Sequence, residues 1–279
     1  PLPAAMLALL AKELEQRDWS RLPLAVRSSA PMEDSARASF AGIHRSCLNV
    51  CGFDAAVRAV QEVWDSLWTP QALAYRHHLG MADSEATMAV VVMPLLPAVA
   101  SGIAFTCDPV SGRDDQLIIH AHWGLGEALV GGQAEGDEYR LQENHGDDSL
   151  HLIERRLGSK ARLTVPSPEG GTALRETPAG LAAQPVLADA QALMLGELAR
   201  DAANALDYAN TGYDVEWVWD GERFWIVQAR PITARGRYTY PALAGQPDYW
   251  SRGNTREILP DPLSPLDWRL CRTMVNRML

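Results

Sequence analysis

Four polar side chains interrupt one of the most apolar stretches of the chain. In DVEWVWDGERFWIVQARPIT, Asp214 to Thr233, two β-branched and aromatic runs flank a Trp-Asp-Gly turn. The first run carries Asp214 and Glu216, the second Gln228 and Arg230. Two carboxylates and an amide oxygen are hard ligands suited to Mg²⁺, and a guanidinium beside them pairs with phosphate oxygens. The same residue types also make an ordinary ion pair in a sheet, because a buried carboxylate needs a partner to offset its desolvation.

Whether the four groups share one face depends on the turn. Side chains alternate along a strand, so Asp214 and Glu216 share a face, as do Gln228 and Arg230. A two-residue Asp220-Gly221 turn puts the pairs on opposite faces. A three-residue Trp219-Asp220-Gly221 loop, with glycine in the left-handed conformation, puts all four on one face. Trp217, Trp219, Trp225 and Val227 are then expected on the other face, packed against a helix.

Two further segments carry weaker signals. AVRSSAPMEDSARASFAG, Ala25 to Gly42, runs from an apolar strand into a hydroxyl-rich loop that can wrap phosphates, with Arg27 as anchor. It also reads as a surface loop with helix caps. WGLGEALVGG, Trp123 to Gly132, is glycine-rich but is neither a Walker loop nor a clean GxGxxG. Its backbone amides could approach a phosphate, or simply turn into a helix. His120 and His122 alternate on a strand and His77 and His78 are adjacent on a helix, without a third zinc ligand at sensible spacing. No Ser-His-Asp or Cys-His arrangement is found.

The elements that must position these groups read as mixed α and β. Helices are expected over PAAMLALLAKELEQRDW, DAAVRAVQEVWDSLW, PQALAYRHHLG and VLADAQALMLGELARDAANALDYA. Strands are expected at LPLAVRSSA, QLIIHAHWG, DEYRL and HLIERRL, with ATMAVVVM and SGIAFTCD as buried strands around a proline-rich turn. The order lacks regular βαβ alternation, so the class is α+β with mostly antiparallel pairing. After Thr233, ARGRYTYPALAGQPDYW reads as a linker. The division is a domain over 1–235 and, over 236–279, a linker with the start of a helical domain.

The chain has 279 residues, 47% of them hydrophobic and 22% charged, which suits a sizeable core. A formal net charge of −10 argues against a nucleic-acid or anionic-membrane binder. No apolar run has transmembrane length. The four cysteines form no CxxC and read as reduced cytoplasmic thiols. A start at Pro1 and an end within an amphipathic pattern suggest a piece of a longer protein.

Together, LAVRSSAPMEDSARASFAG, SGIAFTCDPVSGRDDQLIIHAHWGLGEALVGG, GDEYRL and DVEWVWDGERFWIVQARPIT resemble the ATP-binding domain of phosphoenolpyruvate synthases and pyruvate phosphate dikinases. The resemblance covers roughly Leu22 to Thr233. It implies an ATP-grasp fold, incomplete at its N-terminus, that passes the β-phosphoryl of ATP to a histidine on a swivelling domain, from which a separate acceptor domain is served. Residue by residue it implies Glu216 and Gln228 as Mg²⁺ ligands, Asp214 as an acidic group near the metal, and Arg27 and Arg230 as phosphate clamps. It places adenine along Val90 to Leu96, with Val92, Met93 and Leu95 as contacts. Phosphoryl transfer relies on such positioning and charge neutralisation.

The chain departs from the family pattern at Met93-Pro94, where Gln-Arg or Gln-Glu is usual and where proline brings no N–H to adenine. It also departs at Gly136 in GDEY and at Gly212-Tyr213 in GYDVEW. The family's Gly-Gly-Lys loop is expected upstream of Pro1 and its histidine downstream of Leu279, so the isolated chain is expected to be inactive. YWSRGNTREILPDPLSPLDW, Tyr249 to Trp268, resembles the segment that follows the ATP domain in rifampin phosphotransferases. The runner-up readings are therefore a rifampin phosphotransferase-like enzyme, a carboxylate–amine ligase of the same fold, and a degenerate nucleotide-binding module motivated by Met93-Pro94.

Overall fold

The structure, a computed structural model, describes residues 2–30, 44–78, 80–83, 86–127, 135–144, 147–207 and 212–232, with the backbone of 34–35 and 38–39. Most of the hydroxyl-rich loop, the end of the glycine-rich segment, the linker and the stretch from Tyr249 to Trp268 lie outside these residues.

Two larger antiparallel sheets, each backed by helix on one face, and two two-stranded ladders make up the described sheet structure. The smaller has the order β4–β1–β5, from β1 (Pro23–Ser29), β4 (Ser46–Cys51) and β5 (Ala89–Pro94). Between β1 and β4 lies a two-residue ladder, β2 (Asp34–Ser35) with β3 (Ala38–Ser39). Helix α1 (Ala4–Gln16) supplies Leu14 to this lobe. Helix α2 (Phe53–Asp65) buries Ala56, Ala59, Val60 and Val63, a one-faced helical spacing, against Leu24, Val26 and Val50. Helix α3 (Pro70–His78) follows.

The larger sheet has the order β13–β12–β6–β7–β8–β9. Its strands are β6 (Ala100–Phe105), β7 (Gln116–Trp123), β8 (Asp137–Glu143), β9 (Leu150–Arg156), β12 (Tyr213–Trp219) and β13 (Phe224–Pro231). A short helix α4 (Ala179–Ala182) leads to α5 (Asp189–Leu206), which packs Ala192, Leu195, Ala199 and Ala203 onto Leu117, Ile119, Leu141, Val215 and Trp217. Small residues let this helix lie close. A Cβ built on Gly196 would fall 2.4 Å from Leu141 Cδ1.

Every ladder between these strands is antiparallel, in keeping with the expected α+β class. Two expectations change. The strand expected to be buried at ATMAVVVM is β5, an edge strand with Val91 42% exposed. Only Val90 and Val92 of its alternating side chains pack on the lobe core. The strands β4, β10 (Arg162–Pro166) and β11 (Thr172–Glu176) are additions to the sequence reading. Among the described residues no helix is long and apolar enough to cross a membrane.

Candidate functional site

The helix-free faces of the two sheets enclose a cleft of about 450 Å³. Alternation explains which residues reach it. On β1, Leu24 and Val26 point into the lobe core, so Ala25 and Arg27 point into the cleft. On β12, Val215 and Trp217 point to α5, leaving Glu216 and Val218 for the cleft face.

The hairpin β12–β13 reaches the same arrangement through a bulge rather than through a three-residue loop. Trp219 pairs with Phe224, so the loop is Asp220 to Arg223 rather than Trp219-Asp220-Gly221. Asp220 closes it, its carboxylate accepting from the N–H groups of Glu222 and Arg223 at 2.8 Å each and from Trp225 Nε1 at 2.6 Å. These bonds, that of Trp225 first, hold its pKa down at about 2. A regular ladder continued from this loop would put Glu216 opposite Val227 and turn Gln228 to the core. Instead the register shifts after Trp217↔Ile226, Val227 is left as a bulge, and Glu216 pairs with Gln228 and Asp214 with Arg230. The core face therefore carries Phe224 and Ile226, not Trp225 and Val227. Val227 lines the cleft, and Trp225 lies under the Arg223 guanidinium at 4.0 Å.

Four of the expected site residues meet at one end of the cleft. Arg27 Nη2 donates to Glu216 Oε2 at 2.5 Å and to Gln228 Oε1 at 2.7 Å. Arg230 Nη2 donates to Glu216 Oε1 at 2.9 Å and to Gln228 Oε1 at 3.0 Å. Two guanidiniums thus converge on one carboxylate and one amide oxygen, drawn from strands nearly 200 residues apart in sequence, Arg27 and Glu216 being separated by 189. Side-chain exposures of 20%, 12% and 13% for Arg27, Arg230 and Glu216 keep these charges largely out of bulk solvent, where such pairs are stronger. Asp214 lies on the same sheet face, opposite Arg230, but outside the cleft lining.

The other end is apolar. Met93, Pro94, Leu95 and Leu96 face Val218 and Leu125 across it. Met93 stands opposite Ala25, two residues along β1 from Arg27, about 7 Å at the rise of a strand. Val92 is different: its side chain packs on the lobe core. Leu95 N–H donates to Pro23 O at 2.8 Å, so the nitrogen of Pro94, one residue earlier, points away from β1 toward the free strand edge. Proline there removes no ladder bond, and its carbonyl remains on that edge. Sequence reasoning missed His44, Ser46 and Leu48, which line the cleft from β4 and the residues before it. Their strand, SCLNVC, has little apolar alternation to reveal it. His44 is held below its ordinary pKa, by burial first and by Arg76 second.

The two convergent oxygens of Glu216 and Gln228 fit a divalent cation that takes further ligands from phosphate and water. No cluster of three or more His, Cys, Asp or Glu able to hold a metal alone occurs among the described residues.

A cleft with apolar walls at one end and guanidiniums with hard oxygen ligands at the other is the architecture of a nucleotide-binding module. The family described as pyruvate phosphate dikinase, AMP/ATP-binding domain, matches residues 4–244, and the chain belongs to it. It is 34% identical to a probable phosphoenolpyruvate synthase of Methanocaldococcus jannaschii, over 82% of this chain and 19% of that protein. It is 39% identical to a rifampicin phosphotransferase of Streptomyces sviceus, over 90% of this chain and 28% of that protein. It is 33% identical to a prodigiosin synthesizing transferase of Serratia marcescens, over 89% and 28%. The chain thus spans less than a third of the length of each of these relatives.

Proposed function

We propose that this chain is the ATP-grasp module of a dikinase-type phosphotransferase, which binds Mg-ATP and passes its β-phosphoryl group to a histidine on a separate swivelling domain, yielding AMP and phosphate. The observation that carries the reading is the convergence of Arg27 and Arg230 on Glu216 and Gln228 at the polar end of the cleft.

In this reading Glu216 and Gln228 hold Mg²⁺, and Asp214 adds negative charge nearby. Bound there, Mg²⁺ neutralises phosphate oxygens during transfer. Arg27 and Arg230 turn from the carboxylate to the phosphates and fix the triphosphate between the sheets. The base lies against Met93 and Leu95, beside the Val92 backbone, with the Pro94 carbonyl on the strand edge as an acceptor for an exocyclic amino group. The acceptor histidine and the final acceptor belong to other domains of a longer, cytoplasmic protein, and this chain alone carries out no turnover.

A rifampin phosphotransferase-like enzyme is the second reading, favoured by 39% identity to such a protein over 90% of the chain. Incubating the full-length protein with Mg-ATP and resolving nucleotide products tests both. AMP with an acid-labile phosphohistidine is expected, and ADP as the sole product sinks the dikinase reading. Adding pyruvate or a rifamycin then separates the two acceptors.

A further inference from the structure

In the small lobe, a buried amide on β4 holds the tip of the β10–β11 hairpin. Asn49 is 4% exposed and has a φ of 56°, the left-handed conformation that asparagine tolerates better than most residues. It sits where β4 carries one residue more than β1 between the pairs Leu24↔Val50 and Val26↔Cys47. The irregularity re-aims the Asn49 side chain away from the ladder. Its Nδ2 donates to Ser167 O and Gly171 O at 2.7 Å each, and Gly171 N–H donates back to Asn49 O at 3.0 Å. Ser167 to Gly171 is the tip of the β10–β11 hairpin, closed by Ser167 N–H to Gly171 O at 2.9 Å. From the middle of β10 the hairpin is bonded to the large lobe, with Leu125 N–H donating to Thr164 O at 2.9 Å and Gly124 so close that a Cβ there would fall 2.4 Å from the same oxygen. Leu125, Gly126 and Glu127 form one wall of the cleft.

We propose that Asn49 is a positioning residue for nucleotide binding: through the β10–β11 hairpin it straps the Leu125–Glu127 wall against the small sheet and so sets the width of the cleft. The proposal rests on the nucleotide reading of that cleft. Arg27 also joins the two lobes across the cleft, but its bonds to Glu216 and Gln228 must be exchanged for phosphate when ligand enters. The strap on Asn49 uses none of the groups that meet the ligand. It persists through that exchange and stops the lobes from parting.

The test uses the full-length protein and Asn49→Gly, which keeps the left-handed backbone and removes only the amide. The KM for ATP should rise about tenfold with kcat changed less than about twofold, the signature of lost binding rather than lost chemistry. Exchange of the Leu125 and Gly171 amide hydrogens should accelerate, while that of Ile119 in the core stays slow. Unchanged exchange overturns the strap, and faster exchange with unchanged ATP affinity overturns its role in binding. If wild type binds no Mg-ATP by calorimetry, the nucleotide reading falls, while exchange still decides whether Asn49 holds the wall. Should Asn49→Gly not fold, wild-type exchange is read instead. A strap requires the Leu125 and Gly171 amides to open together and Mg-ATP to slow both, and independent opening refutes it.

Discussion

Glu216 on β12 stands directly opposite Gln228 on β13, although the loop between their strands would set them on opposite faces of the sheet. The Val227 bulge reconciles the two, allowing Ile226 to face α5 while Gln228, two positions later, faces the cleft. Deleting Val227 leaves Ile226 and Gln228 consecutive, which in a regular ladder gives the same two faces. The deletion variant is therefore expected to fold and to keep Mg-dependent ATP binding, weakened only by the loss of one apolar contact, worth about 1–2 kcal/mol. Calorimetry with Mg-ATP checks this, and complete loss of binding would mean that the bulge geometry itself is required.

Glu216→Ala removes the one carboxylate on which Arg27 and Arg230 both converge. Binding of Mg-ATP should be lost. The fold should weaken by roughly 1–3 kcal/mol, because two half-buried guanidiniums are left with the Gln228 amide oxygen as their shared acceptor. Gln228→Ala should also lose Mg²⁺-dependent binding but leave both ion pairs of Glu216 in place, so its stability cost should be smaller. Urea unfolding beside Mg²⁺-dependent calorimetry separates the two effects, and wild-type Mg-ATP affinity in Glu216→Ala refutes the metal assignment.

How much of this was legible in sequence varies by element. The strand positions of Arg27 and of the Asp214–Thr233 hairpin were readable because apolar alternation marks them. Its polar face was readable too, since Asp214, Glu216, Gln228 and Arg230 lie on one face, but the core residues of its second arm were not. Trp-Asp-Gly suggests a glycine-closed three-residue loop, whereas the Asp220 carboxylate holds a longer one through three hydrogen bonds. A bulge leaves no compositional trace, so Trp225 and Val227 were read onto the core face in place of Phe224 and Ile226. Strand β4 and the β10–β11 hairpin escaped for a related reason. Their apolar residues do not alternate cleanly, and their register is set by partners far away in the chain, Asn49 reaching Ser167 and Gly171.

Two histidines make stability depend on pH. His120 is held below its ordinary value of 6.5 by burial first, with Glu138 acting in the opposite sense and Arg140 in the same sense. His44 is likewise lowered from 6.5 by burial and by Arg76. The unfolded chain therefore binds protons that the folded chain does not between the lowered values and 6.5, and stability must rise with pH through that window. Urea midpoints should fall from pH 7 to pH 5, and His120→Gln should show a shallower slope. An unchanged slope in His120→Gln would assign the dependence to other groups.

Gly102 is where the large sheet is least forgiving. It lines the cleft on β6 between Ala121 of β7 and Trp217 of β12. A Cβ built on it falls 1.9 Å from His120 O and 3.0 Å from Trp217 Cζ2. The backbone oxygen cannot turn aside as a flexible side chain could, so Gly102→Ala must push β6 away from β7 and break the ladder that carries both the core and the cleft floor. The expected cost is at least the ~1–3 kcal/mol typical of overpacking. Trp217→Ala at the same spot leaves a cavity instead and should cost about 3–5 kcal/mol. The double variant tells whether the clash is with the backbone or with the ring. If His120 O is the obstacle, Trp217→Ala will not rescue Gly102→Ala, and the two losses will add. If the ring is the obstacle, the double variant will unfold at a urea midpoint no lower than that of Trp217→Ala alone.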